Sequence, residues 1–206
     1  MKKSIIIIVS IILLFFVTTS LFMSYGIYTY VVNGQSMEPT LHNTAVGSAD
    51  KIFYKWVGLK RFDIIVVRID DQDWMKRLIG RPNETIYYNE GHLYINDEAV
   101  EEDFLSAQAR TSTCAPYYER DDENQLILKT PNICQPGGVH LNEDEYFFMG
   151  DNRAESYDSR RFSQHIHKTN IIARPFIHYG TCSSFDHYGN CLKVNYYFPR
   201  FIGAFL

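Results

Sequence analysis

Thr85-Ile86-Tyr87-Tyr88-Asn89-Glu90-Gly91-His92-Leu93-Tyr94-Ile95 decides the fold class. Two short runs of β-branched and aromatic residues flank an Asn-Glu-Gly turn, the pattern of a β-hairpin. Upstream, Asp63-Ile64-Ile65-Val66-Val67-Arg68 is an apolar run of strand length. Residues 25–32 are equally rich in aromatic and β-branched side chains and read as a strand entering a turn at Gly34. Downstream candidates are Gln125-Leu126-Ile127-Leu128-Lys129, Tyr146-Phe147-Phe148-Met149, Asn170-Ile171-Ile172-Ala173 and Val194-Asn195-Tyr196-Tyr197-Phe198. With 15 Tyr, 14 Phe and no long helical periodicity after residue 26, the expected fold is all-β and antiparallel rather than α/β. Residues 98–140 carry more acids, prolines and cysteines and read as a small inserted β/loop subdomain. The aromatic tail Tyr196-Tyr197-Phe198-Pro199-Arg200-Phe201-Ile202 is expected to be a core strand, with contact to lipid as the other reading.

Residues 1–26 are of a different kind. Lys2 and Lys3 precede an uncharged stretch, residues 5–23, interrupted only by Ser10, Thr18, Thr19 and Ser20. About 19 residues at about 1.5 Å each give roughly 28 Å, close to the thickness of a bilayer's hydrocarbon core. A cleaved secretory signal shares the basic start, but its apolar region is shorter and ends at a small-x-small site. Thr18-Thr19-Ser20 is a poor site and lies inside the apolar run. The expected organisation is therefore one transmembrane helix (1–26) followed by a single domain (27–206). With Lys2 and Lys3 retained in the cytoplasm, that domain lies on the other side of the membrane.

The formal charge of -4 becomes more negative once the anchor's two lysines are set aside, leaving 18 basic against 24 acidic side chains. Such a surface does not invite nucleic acid. Cys114, Cys134, Cys182 and Cys191 all fall in the exported part, and their even number points to disulfides. Three pairings are open. The local one, Cys114 with Cys134 and Cys182 with Cys191, is preferred because each bridge would close a loop containing turn residues. Zinc is disfavoured because no C-x-x-C spacing occurs.

Three segments carry chemistry. Ser36, in Gly34-Gln35-Ser36-Met37-Glu38-Pro39-Thr40, would by itself pass for a turn serine, and as a nucleophile it needs a base. None of the seven histidines sits in a serine-hydrolase context; His165 and His167 would share one face of a strand, and read as surface or partly buried residues in preference to a metal pair. Lys76, in Trp74-Met75-Lys76-Arg77-Leu78-Ile79-Gly80, lies among large apolar residues that could desolvate it. Lowering a lysine from about 10.4 to near 7 takes about 4 kcal/mol, which burial without a counter-charge supplies. The third segment, Gly150-Asp151-Asn152-Arg153-Ala154-Glu155-Ser156-Tyr157-Asp158-Ser159-Arg160, follows a predicted strand as a long polar turn.

These segments, in this order behind an apolar N-terminal run, resemble those of the type I signal peptidases of bacteria, Ser/Lys proteases of the cell membrane. The resemblance covers the anchor, residues about 28–90 and about 143–180. It implies a serine endopeptidase that uses Ser36 and Lys76 to cleave signal peptides from exported preproteins, with no cofactor or metal, the Ser36 backbone N–H in the oxyanion hole, and membrane lipid as a neighbour. It further implies that Ser156 orients Lys76, that Asp158 and Arg160 brace the site, and that Arg77 pairs with Asp151. A serine hydroxyl that serves some members as a second oxyanion donor is replaced here by Gly34. Phe62, Pro82-Asn83-Glu84 and the stretch from Ser163 depart from the usual family residues. Two other functions remain open: a peptidase that matures one secreted substrate, such as a pilin-type subunit, and a non-catalytic, membrane-anchored peptide-binding protein. A soluble self-cleaving Ser/Lys repressor is disfavoured by the anchor.

Overall fold

The run Ile64-Ile65-Val66-Val67 is apolar at every position because the strand containing it is buried on both faces. Ile64 and Val66 pack into one core cluster and Ile65 and Val67 into another. The structure, a computed structural model, describes residues 2–161 and 165–202. Ser163 and residues 203–206 of the expected domain lie outside them. Helix α1 (Lys2–Gly26) is followed directly by β1 (Ile27–Val31), so the strand expected over 25–32 begins two residues later, after the helix has absorbed Tyr25. Then come β2 (Ala45–Asp50), the short helix α2 (Tyr54–Val57), β3 (Ile64–Ile69), β4 (Gln72–Gly80) and the hairpin β5 (Thr85–Asn89) and β6 (His92–Ile95). Residues 98–140 contain β7 (Glu98–Val100), α3 (Ala107–Ser112), β8 (Tyr117–Arg120), β9 (Leu126–Lys129), a 3-10 turn (Asn132–Cys134) and β10 (Val139–His140). The chain closes with β11 (Glu145–Met149), β12 (Ile166–His167), β13 (Ile171–Phe185) and β14 (Cys191–Phe201).

Among the described residues the strands form three antiparallel sheets. The largest runs β1-β2-β13-β3-β4-β11-β12, with β14 paired to β13; a second runs β10-β5-β6-β7; β8 and β9 form a third. Antiparallel β structure and an apolar N-terminal helix thus agree with the expected fold class. β3, β4 and β11 lie where three core clusters meet: Leu78 and Phe148 enter one, and Ile79, Phe147 and Met149 enter another. That burial fixes the C-terminal half of β4 and the end of β11, from which the third chemical segment emerges.

Both cysteine pairs are local, Cys114–Cys134 and Cys182–Cys191. The tail differs from expectation. Among the described residues β14 pairs only with β13 and no layer covers its outer face, leaving Tyr196 75%, Phe198 89% and Phe201 73% exposed, while Ile202 turns back into the core. α1 is long and apolar enough to cross a membrane and is unburied by the rest of the chain.

Candidate active site

Ser36 sits in the turn after β1. Gly34 takes φ +105°, a conformation open to glycine, and its N–H donates to Asn43 Oδ1 at 3.0 Å. Met37 and Leu41, both fully buried, pin the turn to the core. Ser36 is left at the surface of an open groove of about 690 Å³, walled by β1 residues such as Tyr28 and Tyr30 on one side and by Gln72, Trp74 and Lys76 on the other.

Lys76 lies in β4 opposite Ile65 of β3, one residue before β11 begins to pair with β4 at Arg77. Its side chain is 3% exposed, and its Nζ lies 2.8 Å from Ser36 Oγ and 5.5 Å from the Trp74 ring. Burial pulls the ammonium down from 10.5 to about 8; Asp158 and Asp151 oppose that shift and Arg160 assists it. A hydroxyl and an amine that could serve as nucleophile and base, 40 positions apart in sequence, are thus within hydrogen-bond reach.

The third segment closes the site from β11. Met149 pairs with Arg77, so Gly150 and Asp151 leave the sheet beside Lys76. Asp151 receives Arg77 Nε at 2.7 Å and Nη2 at 2.5 Å, and Thr40 Oγ1 at 2.5 Å. This pair is almost completely buried, and the Arg77 guanidinium also lies over Phe104 and donates to the Phe62 carbonyl. Asp158 accepts from Arg160 Nε at 2.8 Å, Arg160 Nη2 at 3.0 Å and Gly150 N–H at 3.0 Å. Burial pushes the Asp158 carboxyl up, but the Arg160 guanidinium and the Gly150 N–H outweigh it and hold the group below its ordinary value. Ser156 is fully buried beside Asp158, whose charged form its hydroxyl favours, but among the described residues no hydrogen bond joins that hydroxyl to Lys76. The structure therefore brings together Ser36 with Lys76, Arg77 with Asp151, and Asp158 with Arg160, and places Ser156 among them without linking it to the amine.

Several contributors were not singled out from sequence. Asn152 N–H donates to the Ser36 carbonyl at 3.0 Å, and its side-chain amide to the Gln35 carbonyl at 3.2 Å. Gly150 packs so closely that a Cβ there would collide with the Ser36 carbonyl and the Ser156 side chain. Arg153 is fully buried, with Nη2 at 2.5 Å from Glu102 and Nη1 at 2.9 Å from both Tyr88 and Thr113. Membership of the Gly-Asp-Asn-Arg run was a signal for Asn152 and Arg153. Glu102 had none, standing between two other acids in the acid-rich insertion. Among the described residues no group of three or more His, Cys, Asp or Glu side chains is arranged to hold a metal ion. His165 instead faces Glu145, with Nδ1 at 3.1 Å from its carboxylate.

Comparison with known proteins bears on the same segments. The profile of the family described as "Signal peptidase, peptidase S26" matches residues 1–179. Signal peptidase I of Bacillus amyloliquefaciens is 36% identical over 136 residues, which make up 64% of this chain and 64% of that protein. Signal peptidase I S of Bacillus subtilis (strain 168) is 34% identical over 164 residues, 77% of this chain and 80% of the relative. The chain thus spans slightly less than two thirds of the first relative's length. A crystal structure of a signal peptidase I from Enterococcus faecalis V583 is 34% identical, covers 56% of this chain and 94% of its own, and superposes with a TM-score of 0.40.

Proposed function

The chain belongs to the signal peptidase family, peptidase S26, and from that premise we propose that it is a membrane-anchored serine endopeptidase that removes signal peptides from exported preproteins. The observation that carries this reading is the 2.8 Å approach of Ser36 Oγ to a buried Lys76 amine. In the neutral form that burial favours, Lys76 takes the hydroxyl proton as Ser36 Oγ attacks the scissile carbonyl. The resulting oxyanion is received by the Ser36 N–H. That N–H belongs to the peptide unit whose carbonyl, on Gln35, is held by the Asn152 amide, and in a trans peptide the two groups point in opposite directions. Holding the carbonyl therefore aims the donor. Lys76 returns its proton to the departing amine, the C–N bond breaks, and an acyl-enzyme on Ser36 remains. Water, deprotonated by Lys76, then breaks the ester and restores both side chains.

Substrate binding by strand addition is supported by two open edges. Among the described residues β1 ends the large sheet, and the 72–76 half of β4 pairs only with β3. An extended peptide lying between them would bond to backbone on both sides and reach Ser36. Following the family resemblance, small side chains at the -1 and -3 positions enter shallow apolar pockets. For orientation, Lys2 and Lys3 at the start of α1 support an N-terminus in the cytoplasm of a bacterial cell and a domain outside it. Lipid contact is supported by the segment around α2. Lys51 N–H donates to the carbonyl of Gly26, the last residue of α1, and beside it Phe53, Trp56 and Val57 are exposed together with Lys51 and Lys55. Aromatic and basic side chains of this kind suit a membrane interface.

The test is cleavage of a preprotein with an Ala-x-Ala site by the detergent-solubilised protein, beside Ser36→Ala and Lys76→Ala. The expected result is cleavage after the second alanine and a loss of at least roughly 10³-fold in each variant. An inactive parent, or a Lys76→Ala variant within tenfold of it, would sink the reading.

A further inference from the structure

The inserted segment does more than sit beside the catalytic sheet. Thr113, the residue before Cys114, is fully buried; its carbonyl accepts from Arg160 Nη1 at 3.2 Å and its hydroxyl from Arg153 Nη1 at 2.9 Å. Across the Cys114–Cys134 bridge, Asn132 donates from its side-chain amide to the Ser159 carbonyl at 3.3 Å. Both banks of the disulfide therefore grip the same stretch, the one that carries Ser156, Asp158 and Arg160. Neither grip can form without the insertion, and the bridge holds the two banks together over a loop 20 residues long.

We propose that the insertion, closed by Cys114–Cys134, is a positioning device for Lys76: through Thr113 and Asn132 it holds Arg160 turned onto Asp158 and keeps the buried amine dry. The charged groups around Lys76 make the consequence calculable in sign. They are the Asp158–Arg160 and Arg77–Asp151 pairs behind it, Asp73 paired with Arg68 on its own strand pair, and Glu155 on the groove rim. If Arg160 is released, its repulsion of the ammonium fades, Asp158 attracts the ammonium more strongly, and water reaches the amine. All three changes favour the protonated lysine.

This rests on the peptidase reading, so two readouts are needed. The first is the pH dependence of preprotein cleavage by full-length protein in detergent, compared for the parent, Cys114→Ala/Cys134→Ala, and Cys182→Ala/Cys191→Ala, which breaks the bridge of the β13–β14 hairpin and touches none of the groups around Asp158 and Arg160. The second, independent of activity, is the pH dependence of Lys76 carbamylation by cyanate, read by peptide mass spectrometry. For the insertion variant the acidic limb and the carbamylation midpoint should both move up by about one pH unit, cleavage at pH 7 should fall roughly tenfold, and KM should stay within about twofold. The hairpin variant should match the parent. Reoxidising dithiothreitol-reduced parent should return both midpoints. If the insertion variant does not fold, Asn132→Ala decides, with a shift in the same direction. A lower rate with unmoved midpoints, or equal shifts in both bridge variants, would overturn the proposal. An inactive parent whose carbamylation midpoint still responds would overturn the peptidase reading and leave the positioning role standing.

Discussion

Lys76, the base of the proposed reaction, works against the fold. Its ammonium is depressed from 10.5 to about 8 by burial, so between those values the unfolded chain binds a proton that the native chain does not. Stability therefore rises with pH through that window, and below about 8 the native state carries the full penalty. That depression corresponds to roughly 3 kcal/mol. Lys76→Met should thus raise the unfolding free energy near pH 7 by up to roughly that amount, with the gain vanishing above pH 10.5, as followed by urea denaturation at several pH values. In the proposed reaction the same proton governs turnover: kcat/KM should climb about tenfold per pH unit below pH 8 and level off above it, and a profile flat down to pH 5 would remove Lys76 from the role of base. Gly150 makes a second residue-scale argument. A methyl group there meets the Ser36 carbonyl and Ser156, so Gly150→Ala should displace the nucleophile and lower kcat by at least roughly 100-fold, while far-UV circular dichroism stays that of the parent.

Elements differ in how openly the sequence displays them, and the difference is physical. β3 was legible because both faces are buried, which demands an unbroken apolar run; the β5–β6 hairpin was legible from its turn. β4 was not: Gln72, Asp73, Lys76 and Arg77 break every simple pattern, because its first half lines the groove while its second half buries charges matched by partners far along the chain. β14 was misjudged because aromatic strands look alike whether or not another layer covers them. Of the candidate site, Ser36, Lys76 and the motif residues stood out by pattern, but Glu102 became visible only through its 2.5 Å contact with Arg153, 51 residues on. That buried pair links the insertion to the third chemical segment. Arg153→Met would strand the Glu102 carboxylate in the core and should cost about 3–5 kcal/mol, read as a loss of roughly 10 °C in Tm. Removing both charges with Glu102→Leu/Arg153→Met should restore a large part of it, whereas additive losses would show that the two side chains do not act as a pair.

At the scale of the whole molecule, the proposed function makes the join between the apolar helix and the large sheet decide where Ser36 can work. α1 ends at Gly26, β1 begins at Ile27, and the Lys51 N–H closes on the Gly26 carbonyl at 2.9 Å, so no linker separates anchor from domain. β1 then carries the chain five residues, roughly 17 Å at about 3.3 Å each, toward the Ser36 turn. With α1 in a membrane, as proposed, a rigid path of this kind would hold the groove at a set height above the bilayer, where the cleavage site of a membrane-inserted substrate would stand. Its benefit is a high effective concentration for substrates in the same membrane and none for a free peptide. Twelve Gly-Ser residues inserted between Gly26 and Ile27 should therefore leave cleavage of a soluble peptide within about twofold of the parent, because the β1–β2 pairing and the Ser36–Lys76 contact stay intact. In proteoliposomes the same insertion should slow cleavage of a co-reconstituted preprotein at least roughly fivefold, since a flexible tether spreads the groove over many heights and orientations. Equal slowing of both substrates would instead mean that the join supports the fold of the groove itself, and no slowing of either would mean that the membrane presents its substrates without help from the anchor's rigidity.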